Sequence, residues 1–238
     1  MTVAPMGAAT RMAKKTPGEE LNYPQCVEHG IWSPVRNGPP EGPLILKLKD
    51  VDAKLSSDIK DAEVMSFHVT GCTGHYGNHQ PGRAVARAMA SQIADPRSGG
   101  GSETTKPAAF FFHLGDIIYK DTDSSNPERA DMQKLFNEQF YETYAGYPQE
   151  IFAVPGNHDS KIKDKEGKSA IDHFIANFCA PDRHIASDNL SSQRKTMIQP
   201  YPYWVFRTPL AFFVCLYAND VNGGQLDDPA PHRAQTRS

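Results

Sequence analysis

Three times in this chain a hydrophobic segment runs into a glycine turn that carries a potential metal-binding or acid–base side chain. Met65 to Thr70 leads into Gly71-Cys72-Thr73-Gly74. Phe110 to Leu114 leads into Gly115-Asp116. Ile151 to Val154, stopped by Pro155, leads into Gly156-Asn157-His158-Asp159. Such a recurrence restricts the chain to folds in which several strands end at one place, because ligands of an open α/β sheet bind beyond the carboxyl ends of its strands.

The segments between these strands support that architecture. Val85, Met89 and Ile93 recur every fourth residue, which predicts a helix over 83–94 ended by Asp95-Pro96. Ala108 to Leu114 is apolar throughout, the mark of a strand buried on both faces. Ser125 or Asn126 is positioned to cap a helix, with Pro127 at its first position, that buries Met132, Leu135, Phe136, Phe140 and Tyr144. A helix is expected over 168–178, burying Ile171, Phe174, Ile175 and Phe178. Two adjacent strands, 203–207 and 210–217, are expected to join at Thr208-Pro209 as an antiparallel addition. Residues 43–48 suit a short edge strand, and Asp50 or Asp52 suits the cap of a helix running to Ala62. Alternating strands and helices predict an α/β domain over 44–226 with a parallel sheet. The Pro- and Gly-rich residues 1–43 read as an irregular N-terminal extension, and 227–238 as a disordered tail.

The chain of 238 residues carries a net charge of −3, which gives no general attraction to nucleic acid or an anionic membrane. Its longest apolar run, Leu210 to Ala218, is far short of the ~20 residues a spanning helix needs. Four cysteines without a C-x-x-C pair fit a reducing, cytoplasmic setting.

The turn residues suit phosphoryl chemistry. Asp116 offers a hard anionic oxygen able to bridge two divalent cations, and Asn157 a neutral carbonyl oxygen. His158, one residue further on, can reach the substrate and protonate a leaving group. The segments "FFFHLGDIIY" and "IFAVPGNHD" resemble the GD…GNH[DE] core of the calcineurin-like metallophosphoesterases, and "FHVTGCTG" resembles their FHxxGDTG block. The resemblance spans residues 64–228. It implies a β-sandwich flanked by helices and a metal-dependent phosphoesterase acting on a small or phosphorylated substrate. It further implies divalent metal cofactors (Fe, Mn or Zn), with Asp116 bridging the metals, Asn157 binding the second, and His158 acting on the leaving group. The family's leading aspartate falls on Cys72, a thiol that suits zinc better than Mg²⁺ or Mn²⁺. The later histidine and the closing GHxH motif of the family have no counterpart, so the domain is expected to be truncated near Asp228 and its activity impaired.

Two other functions fit the same residues. One is a non-catalytic remnant or binding module that keeps the scaffold. The other is a small zinc module built from Cys72, His75 and His79. His68 and His113, within strands, read as packing or supporting residues, His173 as structural, and Cys179 and Cys215 as buried small hydrophobes. A sheet left short at its C-terminal side is expected to expose an edge through which chains self-associate.

Overall fold

A computed structural model describes residues 42–75, 78–95, 106–119, 131–161 and 170–217. The expected cap at Ser125 or Asn126, the first two residues of the helix expected over 168–178, most of the N-terminal extension and the 227–238 tail lie outside the described residues. The elements follow in the order β1 (Ile45–Lys47), α1 (Leu48–Val51), α2 (Ala53–Ala62), β2 (Ser66–Thr70), α3 (Gln80–Ala94), β3 (Ala108–His113), α4 (Met132–Phe136), β4 (Ile151–Ala153), α5 (His158–Lys161), α6 (Ala170–Phe178), β5 (Trp204–Arg207) and β6 (Phe212–Cys215). Among the described residues no helix is long and apolar enough to cross a membrane.

The strands form two sheets. One is parallel, in the order β2-β3-β4; the other has the order β1-β5-β6, with β1 parallel to β5 and β6 antiparallel to it. The antiparallel pair is therefore not an extension of the parallel sheet. It belongs to a second sheet, which β1 completes at one edge, and the two sheets pack face to face. Alternation along β3 explains why. Phe110 and Phe112 point to the second sheet, where Phe110 meets Phe206 (5.2 Å between ring centroids) and Phe112 stacks on Trp204 (6.2 Å) and Phe213 (5.9 Å). Phe152 of β4 joins them against Phe206 (4.2 Å). Phe111 points the other way, onto Tyr144 and Tyr147 of the helical layer. All three phenylalanines of β3 are buried, each contributing on the order of 2–3 kcal/mol. This is a β-sandwich with helices against its outer face, the α/β architecture the resemblance implied.

Local sequence explains the ends of the helices. Asp52 Oδ1 accepts from Leu55 N–H (2.8 Å) and starts α2, and Asp131 Oδ1 accepts from Lys134 N–H (3.0 Å) and starts α4. The expected long helix through Tyr144 is not α-helical throughout. It widens into a π turn over Asn137–Tyr141, closed by Glu142 N–H to Asn137 C=O (2.8 Å). Such turns re-aim side chains. Here Gln139 reaches the loop after β3, and Tyr141 donates its hydroxyl to Asn177 Oδ1 (2.5 Å). The last strand is shorter than the expected 210–217, because Thr208 closes a turn: its hydroxyl donates to Ala211 C=O (2.9 Å) and accepts from Ala211 N–H (3.0 Å).

Candidate active site

The parallel pairing brings the three glycine turns together. Thr70 stands opposite His113, and His113 opposite Ala153, so the chain leaves all three strands side by side. Backbone bonds tie the exits: Cys72 N–H to Gly115 C=O (2.8 Å), Gly74 N–H to Asp116 C=O (3.0 Å) and Val154 N–H to His113 C=O (3.0 Å). Gly115 has φ 97°, and a Cβ there would stand 2.5 Å from the backbone nitrogen of Gly156. A Cβ on Gly156 would strike the Asp116 carboxylate. These two glycines let the second and third turns interlock. Cys72 and Asp116 both adopt left-handed backbone conformations (φ 54° and 53°), which cost a side-chain-bearing residue energy.

Asp116 is the hub. Its Oδ1 accepts from His158 N–H (3.0 Å), and its Oδ2 accepts from the Tyr119 hydroxyl (3.0 Å) and lies 3.7 Å from the Cys72 thiol. The Tyr119 ring packs against the His158 imidazole at 4.2 Å between centroids. Burial, together with bonds to Cys72 and Asp116, pushes the Tyr119 hydroxyl well above its ordinary value, so it stays a donor. Asp159 lies beneath the turn, fully buried. Its Oδ1 accepts from Ile117 N–H (2.9 Å) and Ile118 N–H (3.2 Å), and its Oδ2 from Gly156 N–H (2.8 Å). Burial raises this carboxyl to about 7 against the pull of those backbone bonds.

His113 links the first two turns. Its Nδ1 accepts from Gly115 N–H (3.1 Å), so its proton sits on Nε2 and is donated to Thr73 Oγ1 (2.6 Å). Complete burial drives its basicity down to about 3, so the ring is neutral and this tautomer is fixed. His113 is thus a supporting residue, as its strand position implied. His68 also supports: its ring bonds Tyr147 Oη (3.0 Å) and Gln92 Oε1 (3.0 Å). His173 is buried and paired with Asp188 (2.9 Å).

Of the sequence-derived candidates, Cys72, Asp116, Asn157 and His158 all fall in this cluster. The zinc module does not assemble. Cys72 faces Asp116, whereas His75 and His79 meet edge to face at 3.8 Å between ring centroids. Among the described residues no group of three or more His, Cys, Asp or Glu side chains is set to hold a metal ion. The reason is the loop's path: Gly74, bonded to Asp116, turns the chain away before His75, whose N–H goes to Gln139 Oε1 (3.1 Å). The same test bears on the divalent pair the resemblance implies. Asp116 and Asn157 are oxygen donors, Cys72 is a soft thiol, and both Asp159 oxygens are taken by backbone N–H groups. The described donors do not fit a complete two-ion site.

Tyr119, Thr73, Gln139 and Asp159 were not singled out as site residues in the sequence. Asp159 and Tyr119 lie inside the two matching blocks, within three residues of a named candidate, and that proximity was the available signal. Gln139, which accepts from Tyr119 N–H (2.7 Å) and donates to Tyr119 C=O (2.7 Å), comes from a distant turn with no local signal.

Comparison with known proteins agrees with this geometry. The family model described as calcineurin-like phosphoesterase matches residues 65–232. No curated protein and no solved structure matches the chain. With well over half of its length matched, and with its three turns gathered beyond one parallel sheet, the chain belongs to the calcineurin-like phosphoesterase family.

Proposed function

We propose that this chain binds a small phosphomonoester or phosphodiester at the β2–β3–β4 turn cluster and hydrolyses it weakly. The observation that carries this reading is the 3.7 Å approach of the Cys72 thiol to Asp116 Oδ2. The side chain at position 72 already points at the hub carboxylate, so a carboxylate there would meet Asp116 as a second hard ligand. In this proposal Asp116 and Asn157 supply oxygen donors, and His158, held against Tyr119, gives its proton to the leaving oxygen. A single divalent ion held by Asp116 and Asn157 would neutralise phosphoryl charge and acidify a water, and the described donors fit no second ion. The thiol at 72 is the limiting defect, because it is a poor ligand for hard cations. Three described cysteines are free thiols, which supports a reducing, cytoplasmic setting.

The test is hydrolysis of p-nitrophenyl phosphate and bis(p-nitrophenyl) phosphate with Mn²⁺, Fe²⁺ or Zn²⁺ added. Cys72→Asp is expected to raise the rate about tenfold or more, one lost transition-state contact. The same position tolerates Asp in its left-handed backbone. Adding Asp116→Ala is expected to abolish the gain. An unchanged rate in Cys72→Asp, with bound metal below one ion per chain, would overturn the reading in favour of a non-catalytic scaffold. The incomplete described donor set is what favours that second reading.

A further inference from the structure

Away from the turn cluster, the second sheet carries a cavity of about 300 Å³ lined by Lys47, Lys49, Ser56, Lys60, Arg207 and Thr208, with Pro209 at its side. Four of its side chains are cationic and none is acidic, in a chain whose net charge is −3. The fold itself concentrates this charge. Lys47 ends β1 and Arg207 ends β5, and the two are directly paired in register, so like charges face each other across adjacent strands. Lys49 follows on α1, and Lys60 enters from the last turn of α2. Among the described residues none of these four cations has an ion-pair partner. Three carboxylates at or along α2 are engaged elsewhere: Asp52 caps α2, Asp58 pairs with Lys54 (2.6 Å), and Asp61 accepts the Ser57 hydroxyl. The Arg207 guanidinium is oriented by the Phe212 ring, 5.2 Å below it.

The geometry points to an anion site that takes an oligophosphate group, such as pyrophosphate or the phosphate tail of a nucleotide. Repulsion between facing cations is relieved when one multivalent anion bridges them, and a planar guanidinium beside lysine ammonium groups matches phosphate oxygens. A concave site of this volume suits a small molecule more than a polymer backbone. The site is separate from Asp116 and does not depend on the hydrolytic reading.

Titration calorimetry of the full chain with inorganic pyrophosphate, orthophosphate and ADP tests this. Pyrophosphate and ADP are expected to bind more tightly than orthophosphate, and affinity is expected to fall as salt rises from 50 to 200 mM, on the order expected for screened charge contacts. Equal affinities for pyrophosphate and ADP would show that the phosphates alone are read; tighter ADP would add a base contact. Lys47→Glu with Arg207→Glu is expected to abolish binding. Lys49→Gln with Lys60→Gln, on exposed helix positions that leave the strands intact, is expected to weaken it about tenfold per cation. Asp116→Ala is expected to leave it unchanged. Absence of pyrophosphate binding, or binding lost in Asp116→Ala and kept in Lys49→Gln/Lys60→Gln, would overturn the proposal.

Discussion

His113 illustrates how much of the site rests on one neutral side chain. The ring is fully buried between Gly115 and Thr73, and its basicity falls from 6.5 to about 3. The unfolded chain therefore takes up a proton below about 6.5 that the folded chain refuses, so the stability His113 brings is complete above that pH and is lost as pH falls toward 3. His113→Gln keeps a donor for Thr73 and an acceptor for Gly115 without the titration. Urea unfolding at pH 7 and pH 5 is expected to show wild type losing about 2 kcal/mol more than the variant. Asp159, raised to about 7, contributes the opposite slope, favouring the fold at lower pH, but it does so equally in both proteins and cancels in the comparison. Equal losses in the two proteins would show that His113 titrates normally.

At the scale of elements, the interlock of turns is the least replaceable part. Gly156→Ala would press a methyl group into the Asp116 carboxylate and is expected to cost about 2–3 kcal/mol and to displace the His158 N–H from Asp116. Thermal unfolding and loss of turnover in a Cys72→Asp background would report both effects. The elements that meet here were legible because each carries its own local signal: an apolar run such as Phe110 to Phe112, then a glycine, then a polar side chain. The pairing of β1 with β5 was not legible, because three residues such as Ile45–Lys47 have no periodicity to set against the distant Trp204–Arg207. Nor was the π turn, whose extra width is stabilised by tertiary bonds: Leu190 N–H and the Ser191 hydroxyl both reach Asn137 Oδ1. Cys72 was legible as a departure, whereas its direction toward Asp116 is set by the left-handed turn that no local pattern encodes.

At the scale of the whole molecule, the described residues leave one flank of the sandwich uncovered. A cavity of about 340 Å³ beside β2 and β6 is lined by Phe67, Val69, Leu114, Phe213, Val214 and Leu216, with Phe67 edge-on to Phe213 at 5.2 Å. Among the described residues no strand pairs with the outer edge of either strand, and Phe212, Val214 and Leu216 are more than half exposed. We propose that chains associate through β6, since an uncharged apolar edge is a template for another strand. Sedimentation velocity is expected to show species larger than a monomer at micromolar concentration, and Val214→Lys is expected to return the protein to monomer. A wild-type monomer throughout that range would sink the idea.

The strand order also sets a timetable. The β2-β3-β4 sheet is assembled from residues 66–153, whereas β1 must wait for β5 and register Ile45 against Val205. On a ribosome the three glycine turns would therefore meet before the sheet that covers their phenylalanines exists, leaving Phe110 and Phe112 bare while the next fifty or so residues are made, a few seconds at ordinary synthesis rates. Pulse-labelling by hydrogen exchange during refolding is expected to protect β3 amides ahead of those of β5. Such a delay makes a nascent chain of this kind a natural client for chaperones that shield aromatic surface.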